Sequence, residues 1–235
     1  MQINKAAYKI TEVYRRLTVP QFTIVTGLII ILFGTLILSS PLCSSSKVGL
    51  WEAFFTSTSA ITVTGLTIID VGDDLNIFGQ VFLAFMLLSG GLGLMAITTF
   101  LQGFVVKGTQ LRTRLDKGKT LDEFGVGGIG RTFQSIVITA FSIISLGALV
   151  LYCFGFLDIT NNWERLWSSI FHSISAYNNA GFSLWSNSIQ DYRSNIVVNI
   201  VFIFLIVMGG LGWRVIDDIW SNKRNLSYRK LSLHS

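Results

Sequence analysis

Four long intervals of this chain contain no charged residue: Leu17 to Ser46, Leu75 to Val106, Thr132 to Leu157 and Ser194 to Trp213. They run to 30, 32, 26 and 20 residues. A charge at mid-bilayer costs on the order of 3 kcal/mol, and about 20 apolar residues cross the hydrocarbon layer, so each interval qualifies as a membrane span. The first follows a basic stretch, lacks a small-residue cleavage site and is too long for a secretory signal. Charged residues make up 13% of the chain and hydrophobic residues 51%, which excludes disorder, a collagen-like repeat and a disulfide scaffold. Cys43 and Cys153 have neither CxxC nor zinc-site spacing and read as small hydrophobes. The net charge of +5 sits in the segments between spans, which argues for a membrane surface and against nucleic acid.

Two further uncharged stretches, Ala53 to Ile69 and Leu166 to Gln190, differ in kind. Thr56, Ser57, Thr58, Ser59, Thr62 and Thr64 crowd the first; Ser173, Ser175, Asn178, Asn179 and Ser183 crowd the second. If both crossed the membrane, Lys and Arg would divide ten inside to eight outside. If each dips in and returns to the same face, the split becomes fifteen to three, with only Lys47, Arg165 and Arg193 outside. The excess of basic residues on the cytoplasmic side favours the second arrangement. Both stretches are therefore expected to be re-entrant, with the N- and C-termini cytoplasmic. Non-helical backbone at that depth must be buried in protein or line a watery cavity.

The halves of the chain also repeat. Trp51–Leu66 aligns without gaps to Trp167–Phe182 at a spacing of 116, with Trp51/Trp167, Phe55/Phe171, Ser57/Ser173, Ser59/Ser175, Ala60/Ala176 and Gly65/Gly181 identical. Gly90-Gly91-Leu92-Gly93 recurs as Gly209-Gly210-Leu211-Gly212. A parallel duplication follows. The expected fold is an all-α polytopic membrane protein of two tandem helix–pore-loop–helix repeats, with four transmembrane helices and two re-entrant pore helices. Its segments are a cytoplasmic N-terminus (1–20), a first repeat (21–106), a basic cytoplasmic loop (107–131), a second repeat (132–220) and a basic cytoplasmic tail (221–235).

This unit suits a cation. A short helix over roughly Val48 to Ala60 is about 20 Å long, too short to span, and directs its partly negative C-terminus toward mid-membrane. Thr62, Val63, Thr64 and Gly65 are then expected to return outward in extended form with carbonyls facing an axis, where they replace the hydration shell of an alkali cation. Gly65 supplies backbone angles that a Cβ penalises. Asn178, Asn179, Ala180 and Gly181 take the same part in the second unit. Seven acids against three bases lie in the outer segments, Asp70, Asp73 and Asp74 among them, while the inner segments net +9. Such an acidic vestibule concentrates cations.

The run SAITVTGL followed by Asp70, together with SAYNNAGF and the two GGLG spans, resembles the Trk/Ktr/HKT superfamily of potassium transporters, and within it the KtrB-type membrane subunit. The resemblance covers nearly the whole chain. It implies four such units around one pore with one filter glycine each, Gly65 and Gly181 being the first two, and K+ bound at the filter carbonyls. Gly rather than Ser at the first filter position is similar to potassium-selective members. The resemblance further implies potassium uptake at the plasma (inner) membrane, sodium as a coupling or regulating ion, a homodimer, and a cytosolic ring of nucleotide-binding regulatory subunits. It implies no enzyme activity and no cofactor beyond the transported ion. With two units, the expectation is an N-terminal half of a longer subunit; the alternatives are a two-unit channel acting as a dimer and a non-conducting regulatory membrane subunit.

Other features have two readings. Gly90, Gly91, Gly93, Gly209, Gly210 and Gly212 serve either as hinges or as close-packing positions. The basic residues from Lys107 to Arg131 and in the tail meet either the regulatory partner or anionic lipid headgroups. Gly125 to Gly130 lacks the preceding strand of a dinucleotide site and reads as a flexible loop entering the third span. His172 reads as a hydrogen-bonded structural residue rather than an ion site. Its neighbour Ser173 points about 100° away on a helix, so the two do not form a hydrolase pair. Arg214 reads as ion-paired or snorkelling at the inner membrane edge.

Overall fold

A computed structural model of the protein describes residues 19–44, 48–91 and 126–211. Among them run seven α-helices: α1 (Val19–Leu38), α2 (Leu50–Thr62), α3 (Val71–Asp74), α4 (Ile77–Gly91), α5 (Val126–Val150), α6 (Asn162–Tyr177) and α7 (Ile196–Leu211). No strand occurs among the described residues; Ser44 and Leu75 form an isolated antiparallel bridge. The fold is all-α, as expected. The sequence repeat is visible as two successions of the same parts: a long helix, a short polar helix, a glycine turn and an apolar helix. Within each unit the short helix packs on both neighbours, α2 on α1 and α4, α6 on α5 and α7, and the units meet where α4 packs on α6.

The uncharged intervals become α1, α4, α5 and α7. Gln134–Gly155, 22 residues, is the one described helical segment long and apolar enough by itself to cross a bilayer; Thr23–Leu38, Ile77–Gly91 and Ile196–Leu211 are apolar over shorter described lengths. Their outward faces are the opposite of a water-soluble surface. On α1, Ile24, Leu28, Leu32 and Leu36, each one turn after the last, are all more than half exposed, and so are Ile196, Ile200 and Ile203 on α7. The interior instead holds Thr56, Ser57, Ser59, Gln80, Ser168, Ser169, His172, Ser173, Ser175 and Asn178. Apolar outside and hydroxyl-rich inside suits hydrocarbon as the surrounding solvent.

Local signals explain the helix ends. Asn76 accepts from the Gly79 N–H (3.0 Å) and donates to Leu42 O (2.8 Å), capping α4 and tying it to the end of α1. Asn195 repeats both bonds, accepting from Val198 N–H (3.2 Å) and donating to Gly155 O (3.0 Å). A cap of this kind contributes about 1 kcal/mol. One expectation changes: Gly127, Gly128 and Gly130 are not a loop but lie in the first turns of α5. The apolar helix propagates backward through them, and each glycine costs only about 1 kcal/mol relative to alanine. The last turn of α5 widens to a π-helical turn, Leu151–Gly155, closed by Phe156 N–H to Leu151 O (2.9 Å), which delivers Phe156 into the core.

Candidate functional site

Both short helices begin in loops and end against the middle of the molecule. The α2 N-terminus is closed by Glu52, which accepts the Gly49 N–H (2.8 Å); that of α6 by Asn161, which accepts the Trp163 N–H (3.0 Å). Acids in the first turn, Glu52 and Glu164, complement the positive helix end. The partly negative ends then point at two turns built alike.

In the first turn Val63 is left-handed (φ 54°, ψ 45°), and Thr64 N–H donates to Ser59 O at 2.9 Å. In the second, Asn179 is left-handed (φ 56°), and Ala180 N–H donates to Ser175 O at 2.8 Å. A left-handed residue lets the chain leave a helix while satisfying its last carbonyls. The serines then reach forward: Ser59 Oγ accepts Leu66 N–H (2.9 Å), and Ser175 Oγ donates to Phe182 O (2.7 Å). Every one of these partners recurs 116 residues later. The extended run consequently begins two residues later than expected, at Thr64 and Ala180. Thr62 still belongs to α2, Asn178 caps α6, and Val63 and Asn179 make the turn.

The glycines that follow have φ of +83° at Gly65 and +72° at Gly181, a region costing an L-residue roughly 1–2 kcal/mol. They also meet. A Cβ on Gly65 would stand 2.5 Å from Ala180 O and 3.5 Å from Gly181 Cα. The structure thus brings Gly65, Ala180 and Gly181 together. Thr62 and Thr64 share a hydroxyl contact of 2.7 Å on the exposed side. Asn178 turns away: its Nδ2 donates to Ile174 O (2.8 Å), while its Oδ1 is buried against Gly91 without a hydrogen-bond partner.

The second turn has a brace that the first lacks. His172 Nδ1 lies 2.7 Å from Ser168 O, which can only accept, so this nitrogen carries the proton. Nε2 then accepts from Ser183 Oγ (3.1 Å) and Leu184 N–H (3.4 Å), fixing the chain just beyond Gly181. Trp185 stacks on the imidazole at 4.1 Å, and Phe156 and Tyr192 complete the aromatic packing. Tyr192 donates to Asp158 (2.7 Å); burial first, and the Asp158 carboxylate next, raise its phenol above the ordinary value. At the equivalent of His172 the first unit has Thr56, whose hydroxyl is buried without a partner.

Of the acids expected in the vestibule, Asp70 caps α3 by accepting from Gly72 N–H (3.0 Å) and Asp73 N–H (3.3 Å), and Asp74 accepts the Asp70 N–H (2.9 Å). Asp73 is exposed. No group of three or more His, Cys, Asp or Glu able to hold a metal occurs among the described residues. Gly90 and Gly209 are seats for the short helices: a Cβ on Gly90 would stand 2.5 Å from Ile61 O, and one on Gly209 would collide with Tyr177 O. Gly93 and Gly212 lie outside the described residues.

Sequence reading passed over one pair. Gln80 Nε2 donates to Leu75 O (3.0 Å) and approaches Val71 O and Gly72 O (3.4 Å each), while its Oε1 accepts the Trp167 indole N–H at 2.7 Å, across the boundary between units. Asn199 stands in the same place on α7, with Nδ2 donating to Asn195 O (2.7 Å), Tyr192 O and Arg193 O (3.2 Å each). The available signal was the spacing to the glycines, since Gln80 precedes Gly90, and Asn199 precedes Gly209, by ten residues.

The chain is 33% identical over 221 residues to Ktr system potassium uptake protein B of Bacillus subtilis, covering 94% of this chain and 48% of that one. It is 31% identical to the protein of the same name from Vibrio alginolyticus (92% and 47% covered). It is 32% identical to the potassium/sodium uptake protein NtpJ of Enterococcus hirae (95% and 49% covered). The chain thus spans about half the length of these relatives. A family model described as TrkH, cation transport protein, matches residues 21–234, and the chain belongs to that family of membrane transport proteins.

Proposed function

We propose that this chain takes part in potassium uptake across the plasma membrane by supplying two of the four carbonyl-lined segments of a cation pore, the share of the N-terminal half of its longer relatives. In this reading α1, α4, α5 and α7 span the bilayer, both termini are cytoplasmic, and α2 and α6 are re-entrant pore helices. Thr64–Gly65 and Ala180–Gly181 present backbone oxygens to a dehydrated K+, and the Asp70–Asp74 segment forms part of the outer vestibule. No covalent chemistry is involved. The observation that carries the reading is the meeting of two left-handed glycines, Gly65 and Gly181, each just beyond the C-terminus of a short helix. Partly negative helix ends and carbonyls without a competing carboxylate cage suit a monovalent ion that must leave again.

The names of the relatives support potassium as the ion, and that of NtpJ supports a role for sodium as coupling or regulating ion. The "Ktr system" names support a membrane subunit working with other components. The basic segments 107–131, of which only 126–131 are described, and 221–235, outside the described residues, are proposed to meet a cytosolic nucleotide-binding ring. Gly65→Ser, assayed as K+ and Na+ uptake in cells lacking other potassium systems, is expected to lower the preference for K+ over Na+. Unchanged uptake and unchanged preference would remove the filter role and favour a non-conducting subunit.

A further inference from the structure

Gly181, at φ +72°, has wide backbone freedom and no side chain to fix it. The direction of its carbonyl is therefore set by what holds the chain on either side. Before it, Ala180 N–H donates to Ser175 O (2.8 Å). After it, three successive residues are tied back to α6. Phe182 O accepts from Ser175 Oγ (2.7 Å), Ser183 Oγ donates to His172 Nε2 (3.1 Å), and Leu184 N–H donates to the same nitrogen (3.4 Å). Ser183 Oγ also accepts the Trp185 N–H (3.0 Å), and the Trp185 ring lies back on the imidazole at 4.1 Å.

The first unit builds the same loop and directs its hydroxyl elsewhere. Thr67, at the 116 spacing from Ser183, accepts the Ile69 N–H (3.2 Å) just as Ser183 accepts that of Trp185. The Thr67 hydroxyl proton, however, goes to Ile69 O (2.9 Å), within the loop itself, and the position on α2 equivalent to His172 is Thr56. The tie through an imidazole is thus particular to the second unit. His172 is 1% exposed, enclosed by the rings of Phe156, Phe171, Phe202 and Trp185. Burying a polar ring there is costly unless its nitrogens are bonded, and an apolar residue would pack the space without that cost. One nitrogen holds the helix, through Ser168 O; the other holds the loop.

We propose that His172 is a positioning residue for cation preference. Through Ser183 and Leu184 it holds the Gly181 carbonyl at one distance from the ion path, and so favours K+ over Na+ at the second carbonyl segment. Carbonyls held in place suit the larger ion, whereas carbonyls free to close in suit the smaller one. The restraint is carried by Nε2, since the Nδ1 bond to Ser168 O stays within α6. The inference rests on the pore reading above for the ion, and on these hydrogen bonds for the mechanism.

Two substitutions divide the imidazole. His172→Gln carries an amide oxygen to the place of Nε2 and keeps an acceptor for Ser183 and Leu184. His172→Asn carries an amide nitrogen to the place of Nδ1 and keeps only the Ser168 bond. Both lose the ring and its stacking on Trp185, so a packing role would move them together. In the full chain, in cells lacking other potassium systems, His172→Asn is expected to lower the preference for K+ over Na+ roughly ten-fold, the scale of one lost hydrogen bond. His172→Gln is expected to stay within about two-fold of the parent. Ser183→Ala, which leaves α6 intact, should match His172→Asn, and it decides the matter if neither His172 variant reaches the membrane. Hydrogen exchange of the purified protein in detergent reads the restraint without transport. The amides of 183–185 should exchange roughly ten-fold faster in His172→Asn and Ser183→Ala, and not in His172→Gln. Equal effects of the two His172 variants, or a Ser183→Ala preference like the parent's, overturn the proposal. Gly65→Ser, run beside them, separates the two claims. A shift with Gly65→Ser and none with His172→Asn removes the role of His172 alone; faster exchange with no shift in any variant removes the pore reading and this preference together.

Discussion

Gly65 and Gly181 are sequence equivalents, but the structure makes them unequal under substitution. Alanine at either position must adopt a positive φ, at roughly 1–2 kcal/mol. At Gly181 that is nearly the whole effect, because the nearest atom to the new Cβ is Gly65 Cα at 3.5 Å, an ordinary contact. At Gly65 the Cβ would lie 2.5 Å from Ala180 O, about 1 Å inside normal contact. That oxygen belongs to backbone held by the Ala180 N–H to Ser175 O bond (2.8 Å) and cannot swing aside as a flexible side chain would. Overpacking of this kind adds roughly 1–3 kcal/mol. The expected totals are about 2–5 kcal/mol for Gly65→Ala and about 1–2 kcal/mol for Gly181→Ala. Thermal unfolding of the two purified variants in one detergent, against the parent protein, measures the difference. Equal losses, or a larger loss at Gly181, would refute the claim that the two turns face each other in this asymmetric way.

Val63→Asn is expected to stabilise the protein by about 1 kcal/mol, because a β-branched residue is strained at φ 54° whereas asparagine, as at Asn179, adopts that region readily; an unchanged or lowered midpoint in the same assay would count against it. Tyr192 gives a pH dependence whose sign follows from its raised phenol. Its stabilising contribution is complete below pH about 10, the ordinary phenol value, and is lost as pH rises toward the folded-state value. Stability measured from pH 8 upward should therefore fall beyond about 10, and Tyr192→Phe should flatten that fall.

How much of this was legible beforehand depended on the kind of interaction. The apolar helices were readable because a charge in hydrocarbon is costly: the charge-free intervals bounded by Asp74, Asp158 and Arg193 hold α4, most of α5 and α7. The turns were readable from Gly65 and Gly181, whose spacing matched that of the Ser59 and Ser175 anchors. Where each extended run begins was not, since left-handed geometry at a β-branched Val63 runs against local preference and is imposed by the carbonyls of α2. Gln80 and Asn199 escaped because they align at 119 rather than 116. The segment from Gly181 to Gly209 is three residues longer than that from Gly65 to Gly90, and a single offset cannot match both parts of the repeat. His172 was rightly expected to be a structural hydrogen-bonding residue, but its partners lie 11 and 12 residues ahead, beyond the reach of helical periodicity.

The two turns also show which chemistry the duplication has kept. Val63 faces Asn179 across the alignment, Thr64 faces Ala180, and Thr56 faces His172, so side-chain identity is largely lost. What recurs is backbone: a left-handed residue, an N–H returned to the serine carbonyl, a serine hydroxyl on the residue after the glycine, and the glycine itself. The second unit spends an imidazole and an aromatic cluster to hold that path, whereas the first uses the Asp70-capped α3, with Gly72 set against Leu184 O of the other unit. A site that bound its ligand through side chains would have lost function with those changes. A site that works through peptide oxygens tolerates them as long as the chain follows the same course, and two different supports for one backbone path suit carbonyl coordination of a dehydrated cation.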